Sequence, residues 1–423
     1  MIDIQRIRDN SREVVERLKI KHIDAGELVE RILELDIQRR QMQKQLDDAL
    51  ANSKAKAKKI GELFKAGKKD EAEPLKEETA RLKKETKTLQ EKLDDAAREL
   101  EELMTQLPNP PHPSVPSGKS EEDNEIIREE GVLPEHRPNA LPHWELAKKY
   151  NIIDFEAGNK ITGAGFPVYR GYGARLQRAL IAFFIDEACN AGYTEYQPPL
   201  LVNEDSAFGT GQLPDKDGQM YHIPADNLYL IPTSEVPVTN LFRDTILKED
   251  ELPVKCTAYS LCFRREAGSY GKDVRGLNRL HQFDKVEIVQ VTHPEKSYSA
   301  LDEMVNYVAG LLHKLEMPFR ISRLCGGDLG FAAALTYDME VYSAAQQRWL
   351  EVSSISNFES FQAHRMKLRF RSSSGKNVPA HTLNGSALAL PRLLAAMLEN
   401  NQGPEGIHIP PVLQKYTGFD IIK

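Results

Sequence analysis

Cysteine is scarce in this chain: there are four in 423 residues, and Cys189, Cys256, Cys262 and Cys325 form no C-x-x-C pair. Such scatter excludes a disulfide framework or a zinc ribbon and suits a reducing compartment. No apolar run approaches the roughly 20 residues that span a bilayer. The start, MIDIQRIRDN, is charged where a secretory leader would be apolar. The expectation is a cytoplasmic protein with no membrane partner. No G-x-x-x-x-G-K-[ST] occurs, so a P-loop is excluded. The G-x-G pieces at Gly163, Gly171 and Gly209 lack the third glycine and the strand-to-helix setting of a dinucleotide fingerprint. No internal repeat is found.

What is present is ordinary in bulk and uneven in distribution. Hydrophobic residues make up 40% and charged ones 28%, enough for a sizeable core. The length suits two or three structural units. The net charge of −7, from 56 basic and 63 acidic residues, argues against a general polyanion binder. Yet NSKAKAKKIGELFKAGKK gathers Lys54, Lys56, Lys58, Lys59, Lys65, Lys68 and Lys69 around a single acid, Glu62. Two readings of that cluster stand: a solvated helix face, or a nucleic-acid contact.

The cluster lies between two helical patterns, 27–66 and 73–107. In the second, Leu75, Thr79, Leu82, Thr86, Leu89, Leu93, Ala96, Leu100, Leu103 and Leu107 recur at alternating spacings of four and three, a heptad seam. Leu28, Ile32, Leu35, Arg39, Met42, Leu46, Ala49, Ser53, Lys56, Ile60 and Leu63 keep the same phase in the first. The intervening FKAGKKDEAEP holds a glycine and a proline, which favours an intrachain antiparallel hairpin over a dimerising coiled coil. At about 1.5 Å per residue the hairpin would be roughly 50–60 Å long, with the lysines near its tip.

PNPPHPSVPSGKS then ends the helix as a linker over 109–120. Beyond it, GARLQRALIAFFIDEACNAG reads as a helix, YTEYQPPLLV as a strand with prolines, and GSALALPRLLAAMLEN as a closing helix. Strand-like runs at KCTAYSLCF, HQFDKVEIVQV, PFRISRL and AALTYDMEVYSAAQQRWLEVSSISNF follow with short connections. That order predicts an α+β unit with a largely antiparallel sheet flanked by helices.

The densest chemistry lies on the ribbon CFRREAGSYGKDVRGLNRLHQFDKVEIVQV. Residues two apart on a strand share a face, which would pair Arg264 with Glu266, and His281 with Phe283, Lys285 and Glu287. Arginine forks suit phosphate or carboxylate oxygens, and a phenyl ring suits a flat heterocycle. The glycine-hinged loop adds Lys272, Arg275 and Arg279. The face reads as a nucleoside-triphosphate site, with a surface hairpin laced by ion pairs as the plainer alternative. In WLEVSSISNF, Glu351 and Ser353 share a face with Ser354 and Asn357 nearby, hard oxygens of the kind Mg²⁺ takes. Arg392 lies on an otherwise apolar helix, where its charge needs an anion. In IPTSEVP, Thr233 and Glu235 could hold a small ligand carrying an amine.

These pieces, in this order and over essentially the whole chain, resemble the class II aminoacyl-tRNA synthetases, and among them the bacterial-type seryl-tRNA synthetases. GYTEYQPPLLV is similar to motif 1 (about 176–201, with Pro199), FRREAGSYGKDVRGLNRLHQFDKVE to motif 2 (about 261–287), and NGSALALPRLLAAMLEN to motif 3 (about 383–400). GTGQLP, the TSE triplet and EVSSISNF also resemble family signatures. The resemblance implies a tRNA-binding domain over 1–108, whose arm reaches the long variable arm of serine tRNA, and a catalytic domain over 121–423. It implies ATP and L-serine as substrates, Mg²⁺, a homodimer through motif 1, and charging of tRNA(Ser), with tRNA(Sec) left open.

Carried over by residue, it implies an ATP site of Arg264, Arg265, Glu266, Arg275, Phe283, Glu351, Val352, Ser353, Ser354 and Arg392. Arg264 would bind the α-phosphate and the substrate carboxylate, and Glu266 the adenine amino group. Phe283 would stack on adenine with Arg392 on its far side, and Arg275 would meet the outer phosphates. Glu351 and Ser354 would hold Mg²⁺. Thr233, Ser234, Glu235, Arg264, Glu287, Asn384 and Ser386 would form the serine pocket, and the seven lysines would contact tRNA. No zinc is expected, since the pocket motifs hold no Cys/His set. Arg265 stands where the family often has Ser, Lys272 where it often has Arg, and Pro391 where some members have Gly. A carrier-directed ligase and an inactive tRNA-binding paralogue are the competing functions. The lysine-tipped arm weighs against the first, and the full set Arg264, Glu266, Glu287 and Arg392 against the second.

Overall fold

A computed structural model describes residues 1–134, 139–215, 217–267 and 275–423. The chain divides into two units, Met1–Lys19 with Ile23–Pro108, and Ile20–His22 with Asn109–Lys423. None of the described helices is long and apolar enough to cross a membrane.

The first unit contains α1 (Ile4–Ile20), α2 (Gly26–Lys65) and α3 (Lys69–Gln106). α2 and α3 form the expected antiparallel hairpin, and every position of both heptad seams is buried or half-buried. Forty residues at about 1.5 Å each make α2 about 60 Å long. Arg31 pairs with Glu99 at 2.8 Å, and Lys56 pairs with Glu78 nearer the turn. Only Ala66–Lys68 separate the helices, a tighter turn than Gly67 and Pro74 together suggest. Pro74 instead sits in the second turn of α3, exposed, where the Asp70 carbonyl it cannot meet is open to water. One carboxylate is buried in this unit. Asp36 accepts from Arg8 Nη2 at 2.7 Å, Arg40 Nε at 2.9 Å and Arg39 Nη2 at 3.3 Å. Burial alone would raise its pKa, but the arginine hydrogen bonds outweigh that and hold the carboxyl below its ordinary range.

The second unit is built on eight strands: β1 (Glu125–Glu130), β2 (Thr194–Glu195), β3 (Val254–Phe263), β4 (Gln282–Thr292), β5 (Phe319–Arg323), β6 (Leu335–Ser343), β7 (Arg348–Asn357) and β8 (His381–Ala389). Their order is β1-β5-β6-β7-β8-β4-β3-β2, antiparallel throughout except at the β2–β3 edge. The helices that matter here are α4 (Gly171–Asn190), α5 (Glu235–Asn240), α6 (Ser297–Lys314), α7 (Phe361–Met366) and α8 (Leu390–Asn400). Strand alternation sorts the sheet. Val286, Ile288, Met339 and Ile355 join Phe183, Leu301 and Leu394 of α4, α6 and α8 in the main core. On the other face α5 sets Val238 against Cys256, Ala258 and Val289. The antiparallel α+β architecture predicted above is what the chain adopts.

Three local expectations change. β3 ends at Phe263, so Arg264 and Glu266 lie beyond the ladder, and Glu266 takes a left-handed φ of +50°. YTEYQPPLLV forms only Thr194–Glu195 and Leu201–Asn203, because its two prolines cannot donate to a ladder. The proline-rich segment 109–120 is tied into the second unit: Asn109 is 3% exposed and donates to the carbonyls of Ala332 and Phe358.

Candidate active site

β4 provides the floor of a cavity of about 720 Å³. A bulge between Lys285 and Glu287 shifts the β4–β8 register and sets Glu287 opposite Ser386. At the inner end, Glu287 Oε2 accepts from Lys285 Nζ at 2.5 Å and from Thr233 Oγ1 at 3.2 Å. Glu235, the first residue of α5, accepts from Gln362 Nε2 at 2.7 Å. Burial and the neighbouring Glu287 charge push Glu235 up to about 7. The cavity thus holds one carboxylate ion-paired with a lysine and another pushed up to near neutrality. A ligand ammonium would fit beside the second.

Toward the mouth, the Arg264 guanidinium lies 5.3 Å from the centre of the Phe283 ring. Glu266 accepts from Arg279 at 3.1 Å. Arg392, early in α8, donates through Nε to the Asn278 carbonyl at 3.0 Å and through Nη1 to Glu351 Oε2 at 3.2 Å. Cationic forks, an aromatic plate and hard oxygens therefore share one cavity, a match for an anionic ligand with a flat ring.

The structure gathers most of the named residues on this wall: Thr233, Glu235, Arg264, Glu266, Phe283, Glu287, Glu351, Val352, Ser353, Ser354, Asn384, Ser386 and Arg392. Ser353 is 1% exposed, and its hydroxyl donates to the Ser386 carbonyl at 2.6 Å. Ser234 turns away to donate to Ser260 at 2.6 Å. Arg265 is held by its backbone N–H on Gln219, and Arg275 lies over the Trp144 ring at 4.7 Å. Lys272 falls outside the described residues. Lys285 and Asn278 line the cavity without having been assigned a part. The alternation with Phe283 and Glu287 could have marked Lys285; nothing local marks Asn278. In the first unit, Lys54, Lys58, Lys59, Lys65, Lys68 and Lys69 are exposed, whereas Lys56 is drawn across the hairpin to Glu78.

An antiparallel sheet carrying this arginine–aromatic–carboxylate site defines the class II aminoacyl-tRNA synthetases. The family model "tRNA synthetase class II core domain (G, H, P, S and T)" matches residues 221–401, and "Seryl-tRNA synthetase N-terminal domain" matches residues 1–111. The serine–tRNA ligase of Salinibacter ruber is 52% identical over 99% of this chain and 98% of its own. The seryl-tRNA synthetase of Pyrococcus horikoshii, solved with ATP, is 33% identical with a TM-score of 0.92, covering 100% of this chain and 99% of its own. The cytoplasmic enzyme of Naegleria fowleri, solved with AMP, is 27% identical with a TM-score of 0.89 and the same coverage. The chain belongs to the seryl-tRNA synthetase family.

Proposed function

We propose that this protein is an ATP-dependent serine–tRNA ligase that activates L-serine as seryl-adenylate and then esterifies the 3′-terminal ribose of tRNA(Ser). The carrying observation is one cavity that joins a triphosphate-suited mouth to an inner end with a titratable carboxylate. Full-length identity to serine–tRNA ligases supports the same reading. In the first step the serine carboxylate attacks the α-phosphorus in line and pyrophosphate leaves. Little covalent help is needed; positioning and neutralisation of developing charge carry the acceleration. Arg264 binds the α-phosphate and the serine carboxylate, Glu266 the adenine amino group, and Phe283 and Arg392 sandwich the ring. Glu235 takes the serine ammonium. Thr233, Glu287, Asn384 and Ser386 surround the side chain. Alanine would bring no hydroxyl to these polar groups, and a pocket built to bond a hydroxyl favours serine by about 10⁴ or more.

Glu351 and Ser354 are the residues that would hold Mg²⁺. Their hard oxygens suit it, and Asp338, paired with Ser354 across the β6–β7 ladder, has a buried Oδ1 with no hydrogen-bond partner among the described residues. When bound, the cation neutralises triphosphate oxygens. The exposed lysines of α2 and α3 are proposed to meet the long arm of the tRNA, residues 1–108 acting as the tRNA-binding domain and 121–423 as the catalytic one. A homodimer through 176–201 completes the reading.

Serine-dependent ATP–pyrophosphate exchange tests it, with threonine, alanine and cysteine as controls and no tRNA present. Exchange with serine alone supports the assignment; exchange with none of the four amino acids overturns it. Charging of tRNA(Ser) and tRNA(Sec) transcripts then fixes the acceptor.

A further inference from the structure

A buried polar chain lies behind the cavity, outside its lining. His143 is 0% exposed and Glu399, in the last turns of α8, is 1% exposed. The Glu399 Oε1 atom accepts from the His143 backbone N–H at 2.9 Å, from His143 Nδ1 at 2.7 Å and from Gln346 Nε2 at 3.0 Å. Ser343 donates to the other oxygen. On its far side, His143 Nε2 accepts from the Leu277 backbone N–H at 2.8 Å. A backbone N–H can only donate, so Nε2 is the bare nitrogen and Nδ1 carries the proton given to Glu399. Gly276, at φ +69°, allows this approach, since a Cβ there would lie 2.1 Å from Nε2.

The chain leads back to the site. Leu277 and Asn278 line the cavity near the end of the loop joining β3 to β4. Asn278 Nδ2 donates to Gln346 Oε1 at 2.9 Å, and the Asn278 carbonyl receives Arg392 Nε at 3.0 Å. Two residues of that loop are therefore clamped from behind by His143 and Gln346, and both clamps meet on Glu399. Burial alone would raise the Glu399 pKa, but the hydrogen bonds from His143 and Ser343 overcome it and keep the carboxyl below its usual range.

We propose that His143 is a positioning residue for nucleotide binding: its Nε2 fixes Leu277–Asn278, whose carbonyl aims the Arg392 guanidinium, while Glu399 anchors the far side of the ring and Gln346. The proposal rests on the functional reading above, with ATP in this cavity. It differs from a purely structural role in one respect. The link that matters for ATP is the acceptor at the Nε2 position.

The two amide replacements of His143 separate the links. His143→Gln places an acceptor near Nε2 and gives up the bond to Glu399. His143→Asn keeps a donor toward Glu399 and leaves the Leu277 N–H without an acceptor. Both should lose thermal stability to a similar extent. His143→Asn should raise the ATP KM in exchange, and the ATP Kd by calorimetry, about tenfold, with the serine KM unchanged. His143→Gln should stay within about threefold of wild type. Equal effects of the two on ATP, or equal loss of serine and ATP affinity, would overturn the proposal. If His143→Asn does not fold, Gln346→Ala removes the second clamp. It should raise the ATP Kd about threefold, and an unchanged value would count against the proposal. A wild type that binds ATP without exchange refutes the functional reading alone, because the calorimetric comparison still reads the clamp.

Discussion

Arg264 is exposed at the cavity mouth, so truncating it should cost activity and not fold. Arg264→Ala is expected to lower serine-dependent exchange by roughly 10³-fold, in line with losing one charge-stabilising donor, with an unchanged thermal midpoint. Retained exchange would remove the residue from its assigned role. Glu235 makes a pH-dependent prediction. Burial and the Glu287 charge push its carboxyl up to about 7, and an ammonium beside it favours the ionised form. Serine binding should therefore release a proton near neutrality, and serine affinity should weaken as pH falls below about 7. Calorimetry in two buffers of different ionisation enthalpy reads the proton, and Glu235→Gln should abolish both effects. At this scale the sequence was partly legible. Period-two alternation identified His281, Phe283, Lys285 and Glu287 as one face; the cavity lies on the last three, while His281 precedes β4 and is not part of its lining. The same alternation overextended the strand through Arg264 and Glu266, although both do line the cavity; the positive φ at Glu266 leaves no periodic trace. His143 was not singled out and Glu399 read only as part of the closing helix, since their meaning depends on a contact across 256 positions.

The hairpin was the most readable element. Its seam repeats with period 3.5 over the length of both helices, and packing one helix on the other is all the pattern needs. Its ends were harder, because Pro74 is tolerated in a second turn that is open to water. The strand resembling motif 1 failed for the opposite reason: β-prone residues surround two prolines that no ladder accepts. Asp36 carries the prediction here. A carboxyl with a depressed pKa stabilises the fold above its unfolded value of about 4, and that contribution disappears as pH falls through the folded value. Asp36→Asn should cost the first unit about 2 kcal/mol at pH 7. The difference from wild type should shrink as unfolding is followed toward pH 3, and a constant difference would contradict it.

The two units together define an assignment of labour that deletion can test. Removing residues 44–88 and bridging with two glycines keeps Asp36 with its arginines and the Arg31–Glu99 pair. Exchange should be unaffected, while the kcat/KM of tRNA charging should drop roughly 100-fold or more if the exposed lysines neutralise several phosphates. Undiminished charging would free the arm from that role. Sheet order carries a further consequence, for synthesis on the ribosome. The hairpin closes on contacts made as it emerges, but Glu125 of β1 meets Arg323 of β5 only 198 residues later. At about 5–20 residues per second the nascent strand waits roughly 10–40 s for its partner. Throughout that interval Ile126 and Ile127 lie on an unpaired edge, flanked by Glu125, Arg128, Glu129 and Glu130. Those charges act as gatekeepers against self-association before the sheet exists, so their first service is to the unfinished chain.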